Sequence, residues 1–103
     1  MKSPAALALA AFAIIVLGPV AEELFYRAVV LRVLRRYLRD QPALLVSAAI
    51  FAAVHFNVGL LLPLAITGYL LGLGYLLSGS LATSVVAHGV FNAIAVITAI
   101  WAR

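Results

Sequence analysis

The sequence predicts an all-α protein, a four-helix transmembrane bundle. Of its 103 residues, 67% are hydrophobic and only 10% are charged. A soluble domain of this length buries too little of its surface to hide so many apolar side chains, so lipid is expected to cover many of them. Short segments rich in Gly, Pro and polar residues divide the apolar sequence into four stretches of helical length. Residues 1–103 are therefore expected to form a single domain within the membrane.

The first helix is predicted from about Pro4 to about Leu38. Gly18-Pro19 is expected to kink it, because proline removes a backbone hydrogen bond. An arginine run follows, which holds four of the seven basic residues: Arg32, Arg35, Arg36 and Arg39. Such a run is typical of a cytoplasmic flank or of a contact with anionic lipid headgroups. It predicts that both termini lie on the outer side, and the net charge of +4 is not taken to indicate nucleic-acid binding.

Three further helices are expected after the arginine run. The second begins after Asp40 and ends near residues 57–59, the third covers residues 61–77, and the fourth covers residues 81–102. The third helix contains a GxxxG pair, Gly68 and Gly72, which allows close contact with another helix. The chain has no cysteine, which excludes disulfides and cysteine-ligated zinc.

Two adjacent carboxylates stand out in the first helix. Glu22 and Glu23 are two of only three acidic residues, and they lie in an apolar segment. Acids at such positions usually face a protein interior or a water-filled cavity. Glu23 and Arg27 are spaced to form an ion pair on one helical face. Glu22 points about 100° away and has no charged partner within a turn of its own helix, so it is the candidate base.

Three more polar residues are expected at a similar depth. His55 is predicted on the second helix one turn after Phe51, and His88 and Asn92 share a face of the fourth helix. At 1.5 Å per residue, Glu22 and His88 each lie about 12 Å from a helix end, and His55 about 20 Å from one. Polar groups from three helices therefore converge near the middle of the bilayer, as a single buried site requires.

These residue types favour hydrolysis by activated water. A glutamate can take a proton from water, and a histidine beside it can orient that water or pass the proton on. A His/Asn face can donate hydrogen bonds to an oxyanion. No serine or cysteine nucleophile has a suitable partner. No cofactor is favoured. A zinc site built from His55, His88 and a glutamate is the alternative, although the chain lacks an HExxH motif.

The sequence resembles the CPBP family, the CAAX-processing and bacteriocin-processing (Abi) intramembrane proteases. The resemblance rests on Glu22-Glu23-xxx-Arg27, Phe51-xxx-His55 and His88-xxx-Asn92, in matching order and spacing. It implies a glutamate-dependent endopeptidase similar to type II CAAX prenyl endopeptidases. Glu22 would activate water with His55, and His88 and Asn92 would form the oxyanion hole. Glu23 and Arg27 would support the first helix.

The expected partners are the lipid bilayer and a peptide or protein substrate at the membrane, such as a CAAX-type or leader peptide. The Ala-rich, Cys-free composition favours a prokaryotic cytoplasmic membrane. Two other classes of function fit the same residues. One is a non-catalytic peptide-binding or immunity protein of the membrane. The other is a proton or metal-ion conduit in which Glu22 and the histidines carry the ion. The oligomeric state is left open.

Overall fold

The computed structural model describes residues 3–102, which form helices, turns and short connections without a β-strand. The four principal helices are α1 (Pro4–Leu34), α2 (Asp40–Ala53), α3 (Leu61–Ser78) and α4 (Leu81–Trp101). A short 3-10 turn, Val58–Leu60, leads into α3. The all-α prediction is confirmed.

Three of these helices are long and apolar enough to cross a membrane: α1, α3 together with its preceding turn, and α4. Many of their large apolar side chains are exposed, and the Pro4–Phe12 segment of α1 buries no residue at all. The fourth helix is different. With 14 residues, α2 extends about 21 Å, which is less than the roughly 30 Å of a hydrocarbon core. The membrane bundle therefore combines three candidate spans with one shorter apolar helix.

Two helices end earlier than the sequence predicts. α1 ends at Leu34 instead of Leu38, and the connection to α2 is closed by an ion pair between Arg35 Nε and Asp40 Oδ1 at 2.9 Å. α2 ends at Ala53 instead of near residues 57–59. The cause lies three residues on, where Phe56 has a positive φ of 53°, a conformation that does not continue a right-handed helix.

The GxxxG pair of α3 packs against α2. A Cβ atom placed on Gly68 would lie 2.8 Å from the Phe51 ring, and one on Gly72 would lie 2.8 Å from a methyl group of Leu44. Any larger residue at either glycine would have to push these side chains away. The predicted close helix contact is therefore made within the chain, between α3 and α2.

Helix α1 is irregular at the position predicted from Gly18-Pro19. Residues Ala13–Leu17 form a π-helical turn, in which the Gly18 N–H donates to the Ala13 carbonyl. Because Pro19 has no N–H, the carbonyl of Ile14 lacks a donor from its own helix. Helix α4 supplies one, since Asn92 Nδ2 donates to that carbonyl at 2.7 Å. The irregular turn thus joins α1 to α4.

Candidate active site

An ion pair is buried in the second half of α1. Glu23 and Arg27 are each 0% exposed, and Arg27 Nε lies 2.8 Å from Glu23 Oε1. The predicted pairing of these two residues is confirmed. One turn of helix separates them, so both side chains point toward the same neighbouring helices. Removing either charge would leave the other buried without compensation.

Arg27 is only partly satisfied by this pair. Its guanidinium carbon lies 5.6 Å from the centre of the Phe51 ring, a cation–π contact. Within residues 3–102, neither of its Nη atoms has a hydrogen-bond partner. The arginine is therefore held in place by one carboxylate and one aromatic face, inside the protein.

His88 connects the ion pair to the second carboxylate. Its Nδ1 atom lies 2.8 Å from Glu23 Oε2, and its Nε2 atom lies 3.4 Å from Glu22 Oε2. An ionised carboxylate can only accept a hydrogen bond, so Nδ1 carries a hydrogen and donates a hydrogen bond to Glu23. In the neutral ring, Nε2 then presents a lone pair toward Glu22. A buried histidine from α4 therefore lies between the two adjacent glutamates of α1.

Glu22 is the accessible carboxylate of the site. Its side chain is 43% exposed, while that of Glu23 is 0% exposed. This difference follows from their positions one residue apart on a helix, which turn one side chain into the protein and the other away from it. Glu22 can therefore meet a water molecule or a substrate, whereas Glu23 is already engaged with Arg27 and His88.

An aromatic cluster forms one side of the site. The Phe51 ring lies 5.2 Å from Tyr26, 5.1 Å from His55 and 6.0 Å from His88, measured between ring centres. The sequence identified Phe51 as a motif residue but not as the group that separates the two histidines. Tyr26 is buried and packs edge-on against the Phe51 ring.

His55 lies outside helix α2, contrary to the sequence prediction. It belongs to the turn that follows Ala53, and it is exposed. Its Nδ1 donates to the Phe51 carbonyl at 2.6 Å, which again leaves Nε2 free to accept a proton or a hydrogen bond. Among residues 3–102, the His55 side chain forms no hydrogen bond or ion pair with Glu22, and only the Phe51 ring connects it to His88.

The structure therefore brings together Glu22, Glu23, Arg27 and His88, and it places His55 and Asn92 at the edges of this group. Asn92 is partly buried, and its amide is directed toward α1 through the Ile14 carbonyl. A Cβ atom on Gly89 would lie only 2.8 Å from the Ile15 carbonyl oxygen, so this glycine allows α4 to approach α1 closely. The contact between Glu23 and His88 was not predicted, because nothing in the spacing of residues 65 positions apart indicates it.

The zinc alternative needs at least three donor side chains that are directed at one point. In the part of the chain that the structure describes, no group of three His, Asp or Glu side chains is arranged to hold a metal ion. The donors of Glu23 and His88 face each other instead of a common point, and Glu23 Oε1 faces Arg27. Within the described residues, the His55 side chain forms no hydrogen bond or ion pair with a carboxylate. The cofactor prediction, none favoured, remains to be tested by metal analysis.

Comparison with known proteins supplies the family. Residues 4–94, which contain every residue of the candidate site, match the family model for type II CAAX prenyl endopeptidase Rce1-like proteins. No curated protein and no solved structure shows a significant match. The match agrees with the resemblance seen in the three sequence motifs and with the apolar helices. The chain belongs to the Rce1-like family of type II CAAX prenyl endopeptidases and is an intramembrane protease by family.

Proposed function

We propose that this protein cleaves peptide bonds at the membrane with a water molecule activated by Glu22. The observation that carries the proposal is the contrast between the two glutamates. Glu23 is fully buried against Arg27 and His88, while Glu22 is accessible and lies 3.4 Å from the Nε2 atom of His88. A general base must reach its water and must not be permanently paired with a cation. Of the two carboxylates, only Glu22 meets both conditions.

The proposed reaction assigns a role to each polar residue. Glu22 removes a proton from water, and the water oxygen attacks the peptide carbonyl carbon. The proton can pass to His88 Nε2, because this atom presents its lone pair to Glu22 when Nδ1–H is bonded to Glu23. His88 Nε2–H and the second amide hydrogen of Asn92 then stabilise the oxyanion. The proton finally reaches the departing amine as the C–N bond breaks.

His55 completes this assignment as the residue that orients the water. Its Nε2 atom is free, because Nδ1 is bonded to the Phe51 carbonyl. Its exposure and its position beside the Phe51 ring support this role. Among residues 3–102, the turn after α2 is held by local backbone hydrogen bonds alone. A modest movement of this turn would therefore change the distance between His55 and Glu22.

The proposed substrate is a peptide segment of a membrane-associated protein, of CAAX type or a leader peptide. Family membership and the location of Glu22 in the apolar helix α1 support a substrate that enters from the membrane. A prokaryotic cytoplasmic membrane is the proposed location. It is consistent with the arginine run between α1 and α2, where positive residues mark a cytoplasmic side.

The test is cleavage of a peptide library by purified protein, wild type against Glu22→Gln. This substitution keeps the side-chain size and removes the base. We expect it to abolish cleavage while thermal stability stays unchanged, because Glu22 is accessible and its charge is not needed in the interior. Glu22→Asp serves as the control, since it retains a carboxylate and should keep a measurable rate. Full activity of Glu22→Gln would exclude Glu22 as the base.

Three further measurements separate the alternatives. Elemental analysis of active protein, with removal and return of zinc, tests metal dependence: stoichiometric zinc that follows activity would contradict the metal-free proposal. Proton and metal-ion uptake into liposomes tests the conduit alternative. Peptide binding without turnover by the wild type would indicate the non-catalytic protein instead.

A further inference from the structure

An open groove lies between α2 and α3, away from Glu22 and His88. Its volume is about 340 Å³, and its walls are almost entirely apolar. Ala48 and Ala49 of α2 and Ala65 of α3 give it width, because a methyl side chain leaves space that a larger side chain would fill. From Gln41 to Ala49 the groove follows α2 for about 12 Å. Its shape and chemistry fit a single hydrocarbon chain.

One end of the groove is polar. Gln41 and Tyr69 both line it, and the Tyr69 hydroxyl donates to Gln41 Oε1 at 2.7 Å. Gln41 lies in the first turn of α2, two positions after Arg39. The polar end of the groove is therefore next to the arginine run, while the remainder extends along the apolar part of α2.

The arginine run has more positive charge than the protein itself neutralises. The chain has three acidic residues, and two of them, Glu22 and Glu23, belong to the candidate active site. The third, Asp40, pairs with Arg35 at 2.9 Å. Within residues 3–102, no carboxylate pairs with Arg32, Arg36 or Arg39, and all three side chains are exposed. Their charge calls for an anionic partner from outside the chain.

From these two observations we propose a binding site for one anionic phospholipid. One acyl chain lies in the groove between Ala49 and Ala65, and the phosphate group contacts Arg36 and Arg39 at the polar end. The groove supplies an apolar surface for the acyl chain, and the uncompensated arginines favour a negatively charged headgroup. The site is separate from the proposed catalytic residues and requires no activity of the protein.

The experiment is native mass spectrometry of the full chain released from detergent, after incubation with phosphatidylglycerol or phosphatidylcholine of identical acyl chains. We expect one phosphatidylglycerol to be retained in preference to phosphatidylcholine. Neutralising an arginine beside a phosphate weakens binding by about fivefold, so Arg36→Gln and Arg39→Gln should each lower the retention of phosphatidylglycerol by about that factor. They should lower the retention of phosphatidylcholine less, because its choline ammonium offsets the charge of the phosphate that the arginines contact.

Ala49→Leu tests the groove, because leucine adds bulk at an exposed lining position without altering the buried core. It should reduce retention of both lipids, whereas Ala95→Leu, on an exposed face of α4, should reduce neither. Equal retention of the two lipids by the wild type would overturn the proposal. Undiminished phosphatidylglycerol binding by Ala49→Leu would overturn it as well, since the arginines alone would then bind the headgroup.

Discussion

Two groups of residues in the same site differ in what surrounds them. The buried cluster consists of Glu23, Arg27 and His88, whose side chains are almost completely enclosed, with Glu23 in contact with both of the others. The open group consists of Glu22, His55 and Asn92, which are partly or largely exposed. Although Glu22 and Glu23 are neighbours in the chain, they belong to different groups. Environment, more than residue type, separates the two roles.

The contrast shows how a membrane protein can hold a reactive carboxylate without losing stability. The charges of the buried cluster compensate one another, which is the condition for keeping them inside the protein. The open group forms fewer bonds, and its one histidine, His55, has a free Nε2 atom because its Nδ1 atom is bonded to the Phe51 carbonyl. Substitutions in the buried cluster should therefore lower stability first, and substitutions in the open group should lower activity first.

The largest expected effect is that of Arg27→Ala. Removing the guanidinium leaves the Glu23 carboxylate buried next to His88 alone, at a cost of about 3–5 kcal/mol. We expect little folded protein in the membrane fraction, measured as yield and as thermal stability in detergent. Arg32→Ala is the matched control, because Arg32 is exposed near the end of the same helix and should leave yield unchanged. Normal yield and stability of Arg27→Ala would contradict a structural role for the pair.

His88→Ala should affect both properties, because His88 contacts one glutamate of each group. We expect the cleavage rate to fall by about 10²–10³ through loss of an oxyanion donor. We also expect a lower melting temperature, since Glu23 Oε2 loses its partner. The comparison is His55→Ala, which should lower the rate at unchanged melting temperature because His55 is exposed. A melting temperature that falls more for His55→Ala than for His88→Ala would reverse the assignment of the two histidines.

Asn92→Ala distinguishes an oxyanion donor from a helix contact. As a donor, Asn92 should contribute about 10² to the rate, at the lower end of such effects. As a helix contact, it satisfies the Ile14 carbonyl, and its loss should cost about 1–3 kcal/mol of stability. Measuring rate and thermal stability on the same preparations separates the two. If Asn92→Ala lowers stability but leaves the rate per folded molecule unchanged, Asn92 is a helix contact and not an oxyanion donor.

The smallest effect concerns orientation, where no change in activity is expected. With the arginine run on the cytoplasmic side, a cysteine at Leu38 should be protected from an impermeant thiol reagent applied outside intact cells. The same cysteine should react after the membrane is opened. The native chain contains no cysteine, so the background is low. Rapid labelling in intact cells would place the arginine run, and the proposed lipid headgroup with it, on the outer side.

Much of the buried cluster could be predicted from local sequence. A spacing of four residues on a helix was sufficient to pair Glu23 with Arg27, and the apolar composition was sufficient to predict a helical membrane bundle. Gly68 and Gly72 indicated a close helix contact, although not that α2 would provide it. These features depend on helix periodicity and on the cost of burying charge, both of which are visible in a single sequence.

Other features depended on the tertiary structure. The contact between Glu23 and His88 required α4 to pack against α1 at one particular register, which no local pattern specifies. The end of α2 before His55 depended on the positive φ of Phe56, and the partner of Asn92 depended on a π-helical turn in α1. The sequence alone thus determined which residues are polar, which of them share a helical face, and which helices are long and apolar enough to cross a membrane. Helix spacing had already paired Glu23 with Arg27 and left Glu22 without a partner on its own helix. Only packing between distant segments placed His88 against Glu23 and decided how deeply each glutamate is buried, because enclosure is a property of the neighbouring helices and not of the residue.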